Sequence, residues 1–214
     1  KAHEKNKHFL QQHSIGNDKK IVALLPGSRK QELALIIPVM ADVVKINPQY
    51  QYVVAAVKNL HEDLYKPLKA LANVKFVYEQ TYDLLAHAHA ALVTSGTATL
   101  ETALFKVPQV VVYKTSYVSY LIAKQLVKVP YISLVNLIAD KLVVKELIQD
   151  EATVTKIAAE LNRIADDVTY RDGMLAEYEK LMKVLDTGSA SANTAQLMWR
   201  YLNEKTTTTT AVVA

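Results

Sequence analysis

The sequence has 214 residues, 50% of them hydrophobic, which is enough to bury the core of one substantial domain. Its 25 Lys and Arg against 21 Asp and Glu leave a net charge of +4. That excess is too small to indicate nucleic-acid binding, but it suits a phosphorylated ligand or an anionic membrane surface. The absence of cysteine excludes disulfides, thiolate zinc sites and cysteine nucleophiles. No apolar run reaches the roughly 18 residues of a membrane-spanning helix.

The chain begins within a charged helical pattern and without an initiator methionine. We therefore expect residues 1–16 to form a helix and linker that follow a missing N-terminal domain. Between residues 17 and 150 short apolar strands alternate with helical patterns, which predicts an α/β domain with a parallel sheet flanked by helices. The predicted strands are Ile21–Leu25, Tyr52–Val57, Val74–Tyr78, Ala90–Val93 and Gln109–Tyr113, and the helices among them are Lys30–Ile46, Glu62–Leu71, Tyr82–Ala88 and one that ends near Phe105.

Beyond Val143 the pattern is helical, with predicted stretches at Lys145–Gln149, Ala152–Ala165 and Val168–Leu185 and a last helix from Ser189. We expect no strands in this region. Residues 151–205 should therefore form a helical extension that packs on the domain or crosses to a partner, and the low-complexity residues 206–214 a disordered tail.

A further helical pattern after the fifth strand has two chemically different faces. One is apolar and typical of a core, whereas the other carries Tyr117, Tyr120, Lys124 and Lys128. Tyrosines with lysines suit the headgroup layer of a membrane, but a solvated surface has the same composition. Both interpretations stay open.

Two strand-to-helix turns predict phosphate binding. In the first, Pro26 and Gly27 lead into Ser28, which could cap the next helix, and Arg29, whose guanidinium can bridge two phosphate oxygens. The alternative for Arg29 is a surface ion pair with Glu32, three residues along the helix.

The second turn gathers three hydroxyls and a glycine at the start of a helix, with a carboxylate about one turn inside. Its residues are Ser95, Gly96, Thr97, Thr99 and Glu101. The helix start supplies amide groups and a partial positive charge for an anion, and Glu101 could accept hydrogen bonds from a ribose. Glu101 could equally be a first-turn acid that the helix dipole favours.

Other motifs carry less information. His87 and His89 lie two residues apart and are expected to serve packing or the surface rather than a metal. The sequence contains no HExxH, full P-loop or GxGxxG motif. Hydride transfer and ATP hydrolysis therefore lose support.

Three segments together resemble the C-terminal half of the lipid-A-disaccharide synthase family. They are LLPGSRKQEL from Leu24, VTSGTATLETALFKVPQVVVYK from Val93, and LVKVPYISLVNLIADKLVVKELIQD from Leu126. The resemblance spans Ile21 to Met198. It departs from the family at Val135, where proline is frequent.

The resemblance implies one Rossmann-like half of a GT-B fold. The family's enzyme is an inverting glycosyltransferase that moves 2,3-diacylglucosamine from its UDP donor to 2,3-diacylglucosamine 1-phosphate, with no metal cofactor. This half would bind the donor nucleotide, and the fragment alone would be inactive because the general base lies in the missing N-terminal domain. The family implies a cytoplasmic location at the inner-membrane surface, no nucleic-acid partner, and leaves a homodimer open.

Carried over by position, the resemblance assigns Gly27, Ser28 and Arg29 to the diphosphate, residues 95–99 to its other side, and Glu101 to the ribose. Lys114 would meet phosphate at a strand end, and Asn136 would face the cleft and help Arg29 stabilise the leaving group. The simpler role for Asn136 is a loop hydrogen bond. Two alternatives remain: a non-catalytic UDP-sugar-binding or membrane-peripheral module, and another GT-B enzyme such as a UDP-sugar epimerase.

Overall fold

The structure is a computed structural model, and it describes residues 5–94, 96–117, 120 and 130–186. The chain divides into two compact units, one that extends to Tyr178 and one that starts at Glu179. The first contains all the strands of the described residues.

Six parallel strands form one sheet in the order β3-β2-β1-β4-β5-β6. Their bounds are Ile21–Leu25 (β1), Gln51–Ala56 (β2), Val74–Tyr78 (β3), Ala90–Val93 (β4), Gln109–Tyr113 (β5) and Glu146–Ile148 (β6). This is the doubly wound strand order of dinucleotide-binding domains, and it confirms the predicted α/β fold with a parallel sheet.

The structure gives the bounds of eight helices among the described residues. They are Phe9–Gln12 (α1), Lys30–Ile46 (α2), Lys66–Lys69 (α3), Thr81–His87 (α4), Thr97–Leu104 (α5), Leu134–Ala139 (α6), Val154–Asp166 (α7) and Val168–Leu185 (α8). Two 3₁₀ turns, Glu62–Tyr65 and Gln149–Glu151, precede α3 and follow β6.

The sheet is covered on both faces, as its apolar strands predict. Every residue of β1 is buried. Ile21, Ala23 and Leu25 pack in one cluster with Phe9 of α1 and Leu84 of α4. The alternate residues of β1 point to the opposite face because side chains of a strand alternate; there α2 packs against α7, which also contacts β4 and β5.

One predicted element has the wrong type. Lys145–Gln149 was predicted as a helix, but residues 146–148 form the edge strand β6, which pairs in parallel with β5. Only three residues pair, too few to show an alternating pattern in sequence. The predicted helix Glu62–Leu71 is divided into a 3₁₀ turn and α3, with Pro67 near the start of α3.

Candidate functional site

The candidate site lies at the carboxyl ends of β1 and β4, where the strand order reverses. These neighbouring strands pair in parallel with Leu25 opposite Val93, so the turns that follow them start side by side. In open α/β sheets, ligands bind in the crevice at such a point. Both sequence-predicted turns therefore lie next to each other at this edge of the sheet.

The two turns are in direct contact through Thr94, which the sequence analysis did not single out. Its backbone N–H donates to Leu25 O at 3.0 Å, and its hydroxyl donates to the same oxygen at 3.2 Å. Gly27 has φ +89°, and a Cβ built there would lie 2.9 Å from Thr94 Oγ1. Glycine is thus required both by the backbone angle and by the neighbouring turn. The position of Thr94 directly after an apolar strand could have indicated it.

At the second turn, Gly96 has φ +131° and precedes α5 as its N-cap residue. Thr97 is exposed at the helix start. Thr99 is fully buried, and its hydroxyl donates to Gly96 O at 2.8 Å. The prediction that the Thr99 hydroxyl binds phosphate is therefore wrong, because that group closes the turn from inside. Ser95 lies outside the described residues.

At the first turn, Arg29 is 77% exposed and donates from Nη1 to Glu32 Oε1 at 3.0 Å. The surface ion pair between Arg29 and Glu32 is therefore formed. The exposed guanidinium keeps other N–H donors that a ligand can reach. Ser28 is exposed, but α2 has Arg29 at its N-cap position and no side-chain cap. The predicted capping role of Ser28 is wrong, since the helix begins one residue too late for it.

The end of a third strand, β5, also lies near the first turn, through its last residue, Tyr113. Its hydroxyl donates to Glu32 Oε1 at 3.3 Å, so Glu32 links the ends of β1 and β5. The hydrogen bond to Glu32 raises the pKa of Arg29, and burial, with Glu32 nearby, raises the pKa of Tyr113. Arg29 therefore keeps its charge, and Tyr113 its proton, throughout the physiological pH range.

Lys114 follows β5 directly and is half-buried at the same edge of the sheet. The next residue, Thr115, is fixed by Gln149: its N–H donates to Gln149 Oε1 at 2.8 Å, and Gln149 Nε2 donates to its carbonyl at 3.0 Å. The backbone beside Lys114 is thereby held in place.

Asn136 does not face the crevice, so the prediction that it orders the ligand is wrong. The side chain is fully buried at the start of α6. Its Oδ1 accepts from Val143 N and Val144 N, and its Nδ2 donates to Val144 O and Glu146 Oε1, at 2.8–2.9 Å. All its hydrogen-bonding capacity is used inside the protein, which matches the simpler role of a loop hydrogen bond.

A cavity of about 340 Å³ lies beside α5, on the side of Glu101. Its walls are Glu101 and the segment from the end of β3 into α4: Glu79, Gln80, Thr81, Tyr82 and Asp83. The sequence predicts a ligand contact for Glu101 and for none of the other five residues.

The weaker candidates are used in packing. His87 Nδ1 donates to Asp83 O and its ring stacks on Phe9, and His89 contacts Ala165 O. Within the described ranges no cluster of three or more His, Asp or Glu side chains could hold a metal. Of the proposed membrane face, Tyr117 is 63% exposed and Tyr120 half-buried, while Lys124 and Lys128 lie outside the described residues. No helix in the described part is both long and apolar enough to span a bilayer.

Solved structures with similar folds include several sugar-nucleotide enzymes. A UDP-GlcNAc 2-epimerase from Neisseria meningitidis, bound to UDP-GlcNAc, matches 80% of this chain and 44% of its own at a TM-score of 0.52 and 16% identity. The calicheamicin glycosyltransferase CalG4 matches 87% of this chain and 44% of its own at 0.56 and 20%. At these identities the likeness shows the fold alone, and it confirms the Rossmann-like half of a GT-B fold.

Sequence relatives are more specific. Lipid-A-disaccharide synthases from Syntrophus aciditrophicus (strain SB) and Coxiella burnetii (strain Dugway 5J108-111) are 39% and 34% identical over 87% and 89% of the chain. The match covers 50% and 51% of those proteins, so the chain spans about half the length of the curated relatives it matches. A family model described as lipid-A-disaccharide synthetase matches residues 1–196. The chain therefore belongs to the lipid-A-disaccharide synthetase family.

Proposed function

We propose that this chain is the donor-binding half of a lipid-A-disaccharide synthase and holds the diphosphate of a UDP-sugar between its two glycine turns. The observation that carries the proposal is the contact between the turns at the ends of β1 and β4. The helices α2 and α5 both start there, so their amide groups and dipoles favour an anion at one point. Arg29 adds a permanent charge at the rim.

The proposed reaction moves 2,3-diacylglucosamine from its UDP donor to 2,3-diacylglucosamine 1-phosphate, with inversion and without a metal cofactor. Family membership supports the substrates. Because the chain spans about half of its relatives, we assign the acceptor site and the general base to the other half. The chain alone is proposed to bind the donor but not to catalyse.

The mechanism follows from where charge develops. As the anomeric C–O bond breaks, its electron pair stays on the departing diphosphate, which gains negative charge. Donors that bind this charge more strongly in the transition state than in the ground state accelerate the reaction. We assign this role to the exposed guanidinium of Arg29 and to the starts of α2 and α5.

The substitution Arg29→Ala tests this role in the complete enzyme that contains this chain. We expect turnover to fall about a hundred- to a thousand-fold, the usual cost of removing one strong donor to a developing charge. Lys45→Ala is the matched control, because Lys45 also forms an exposed i,i+3 ion pair on α2, with Asp42. It lies about 24 Å away at the other end of the helix. Unchanged turnover in Arg29→Ala would overturn the assignment.

We also propose a location at the cytoplasmic face of the inner membrane, where a diacylated substrate is presented. The support is the exposed Tyr117, which follows β5 close to the proposed site. A tyrosine at the headgroup level keeps its ring in an apolar layer and its hydroxyl in water.

A further inference from the structure

The cavity beside Glu101 has a chemistry different from that of the glycine turns. Three of its six lining residues are acidic, Glu79, Asp83 and Glu101, and Glu79 is paired with Lys58 at 2.5 Å. Carboxylates repel phosphate groups, whereas the turns and Arg29 attract them. A nucleotide whose phosphates lie at the turns would therefore direct its uncharged base, and not a phosphate, toward the cavity.

Distances along α5 agree with this orientation. Glu101 is four residues beyond Thr97, which corresponds to about 6 Å along the helix axis. That separation places a ribose beside Glu101 when the diphosphate lies at the helix start. The base then reaches the segment of Gln80 and Tyr82 on the far wall.

Gln80 enters the cavity wall with one end of its amide already engaged. Its Oε1 lies 2.5 Å from His13 Nε2, and because an amide oxygen only accepts, His13 must donate. His13 is in turn held by the ring of Phe9, at 4.9 Å between ring centroids. The Gln80 Nε2 group has no acceptor among the described residues, so its two N–H donors remain for a ligand.

We infer that Gln80 is the residue that selects the base of the donor nucleotide, and that His13 is its positioning residue. The inference rests on the proposed function. Uracil has a carbonyl oxygen at C4, the position where cytosine carries an amino group. The Nε2 group of Gln80 can donate to a uracil carbonyl but repels an amino donor. Tyr82, 46% exposed and 5.4 Å from the Phe105 ring, offers a face for the base.

Calorimetric titration of this chain with UDP and with CDP tests the role of Gln80. We expect wild type to prefer UDP and Gln80→Ala to bind UDP about fivefold more weakly, since a net hydrogen bond is worth about 1 kcal/mol. The UDP preference should disappear in Gln80→Ala. In Gln80→Glu it should reverse toward CDP, because a carboxylate accepts from the cytosine amino group. Gln49→Ala, an exposed glutamine before β2, should leave both affinities unchanged.

Variants of His13 separate positioning from folding. His13→Ala should reduce the ratio of CDP to UDP dissociation constants, and His13→Gln should restore it, because a glutamine amide can also donate to Gln80 Oε1. A purely structural His13 would change the melting temperature of the chain without changing that ratio. An unchanged ratio in Gln80→Ala and Gln80→Glu, with UDP still bound, would overturn the inference. Failure of wild type to bind UDP at all would instead overturn the proposed function.

Discussion

Replacing Asn136 by alanine distinguishes a structural role from a role in ligand binding. The side chain is fully buried and makes four hydrogen bonds, to both N–H groups of residues 143–144, to Val144 O and to Glu146. Alanine would remove all four and leave two backbone donors without their acceptor. The loop between α6 and β6 would lose the side-chain amide that holds residues 143 and 144 against α6.

The cost follows from the number of bonds. At about 1 kcal/mol net for each hydrogen bond, Asn136→Ala should lower the free energy of unfolding by about 4 kcal/mol. That is a large part of the 5–15 kcal/mol by which most domains are stable. With a urea m-value of about 2 kcal/mol per molar, the unfolding midpoint followed by circular dichroism should move down by about 2 M.

The matched control is Asn73→Ala. Asn73 is half-buried and makes one side-chain hydrogen bond, from Nδ2 to Tyr50 O at 3.3 Å. Its loss should cost about 1 kcal/mol. An Asn136→Ala variant that kept the wild-type unfolding midpoint yet lost UDP binding would refute the structural role, because the side chain would then act on the ligand.

Two further predictions concern the turns and the surface. Gly27→Ala should lower the free energy of unfolding by about 1–3 kcal/mol and weaken UDP binding, because an L-residue is strained at φ +89° and its Cβ meets Thr94. The control is Gly173→Ala in α8, where the added Cβ would meet nothing within 4 Å. That substitution should raise the free energy of unfolding by about 0.4–1 kcal/mol. A greater loss for Gly173→Ala than for Gly27→Ala in urea unfolding would contradict this. Tyr117→Asp should reduce the fraction of protein that sediments with anionic liposomes. Tyr82→Asp should not, although Tyr82 is also an exposed tyrosine. Equal effects of the two substitutions would argue against a membrane face at Tyr117.

The sheet could be predicted from sequence wherever a strand is buried on both faces. Ile21–Leu25 and Ala90–Val93 have the predicted bounds because an unbroken apolar run between turn residues has few alternatives. Val74–Tyr78 and Gln109–Tyr113 also have the predicted bounds, although each contains a polar residue, Lys75 or Gln109. The edge strand β6 is different. Its three residues are fixed by pairing with β5 and by the contacts of the Glu146 carboxylate with Ser133 and Asn136, which are distant in sequence.

The site was predictable in its backbone and less so in its side chains. Both glycine turns were found because a positive φ after a buried strand restricts the residue type, and Gly27 and Gly96 have such angles. The direction of a hydroxyl or amide carries no such signature. Thr99 and Asn136 have side chains that suit a phosphate site, but each is buried and bonded to its own loop.

The buried, internally bonded side chains of Thr94 and Thr99 stabilise the backbone of the proposed site. In the proposed site, a turn that binds the diphosphate more strongly as charge develops must keep its N–H groups in place before the ligand arrives, because reorganising them would cost free energy. Thr99 closes the second turn from inside, and Thr94 joins it to the end of β1. Thr99, which the sequence predicts as a ligand group, and Thr94, which it does not, therefore both hold backbone groups of the turns in place. The side chains left for recognition, Arg29 and Gln80, are those whose outer donors face solvent or the cavity.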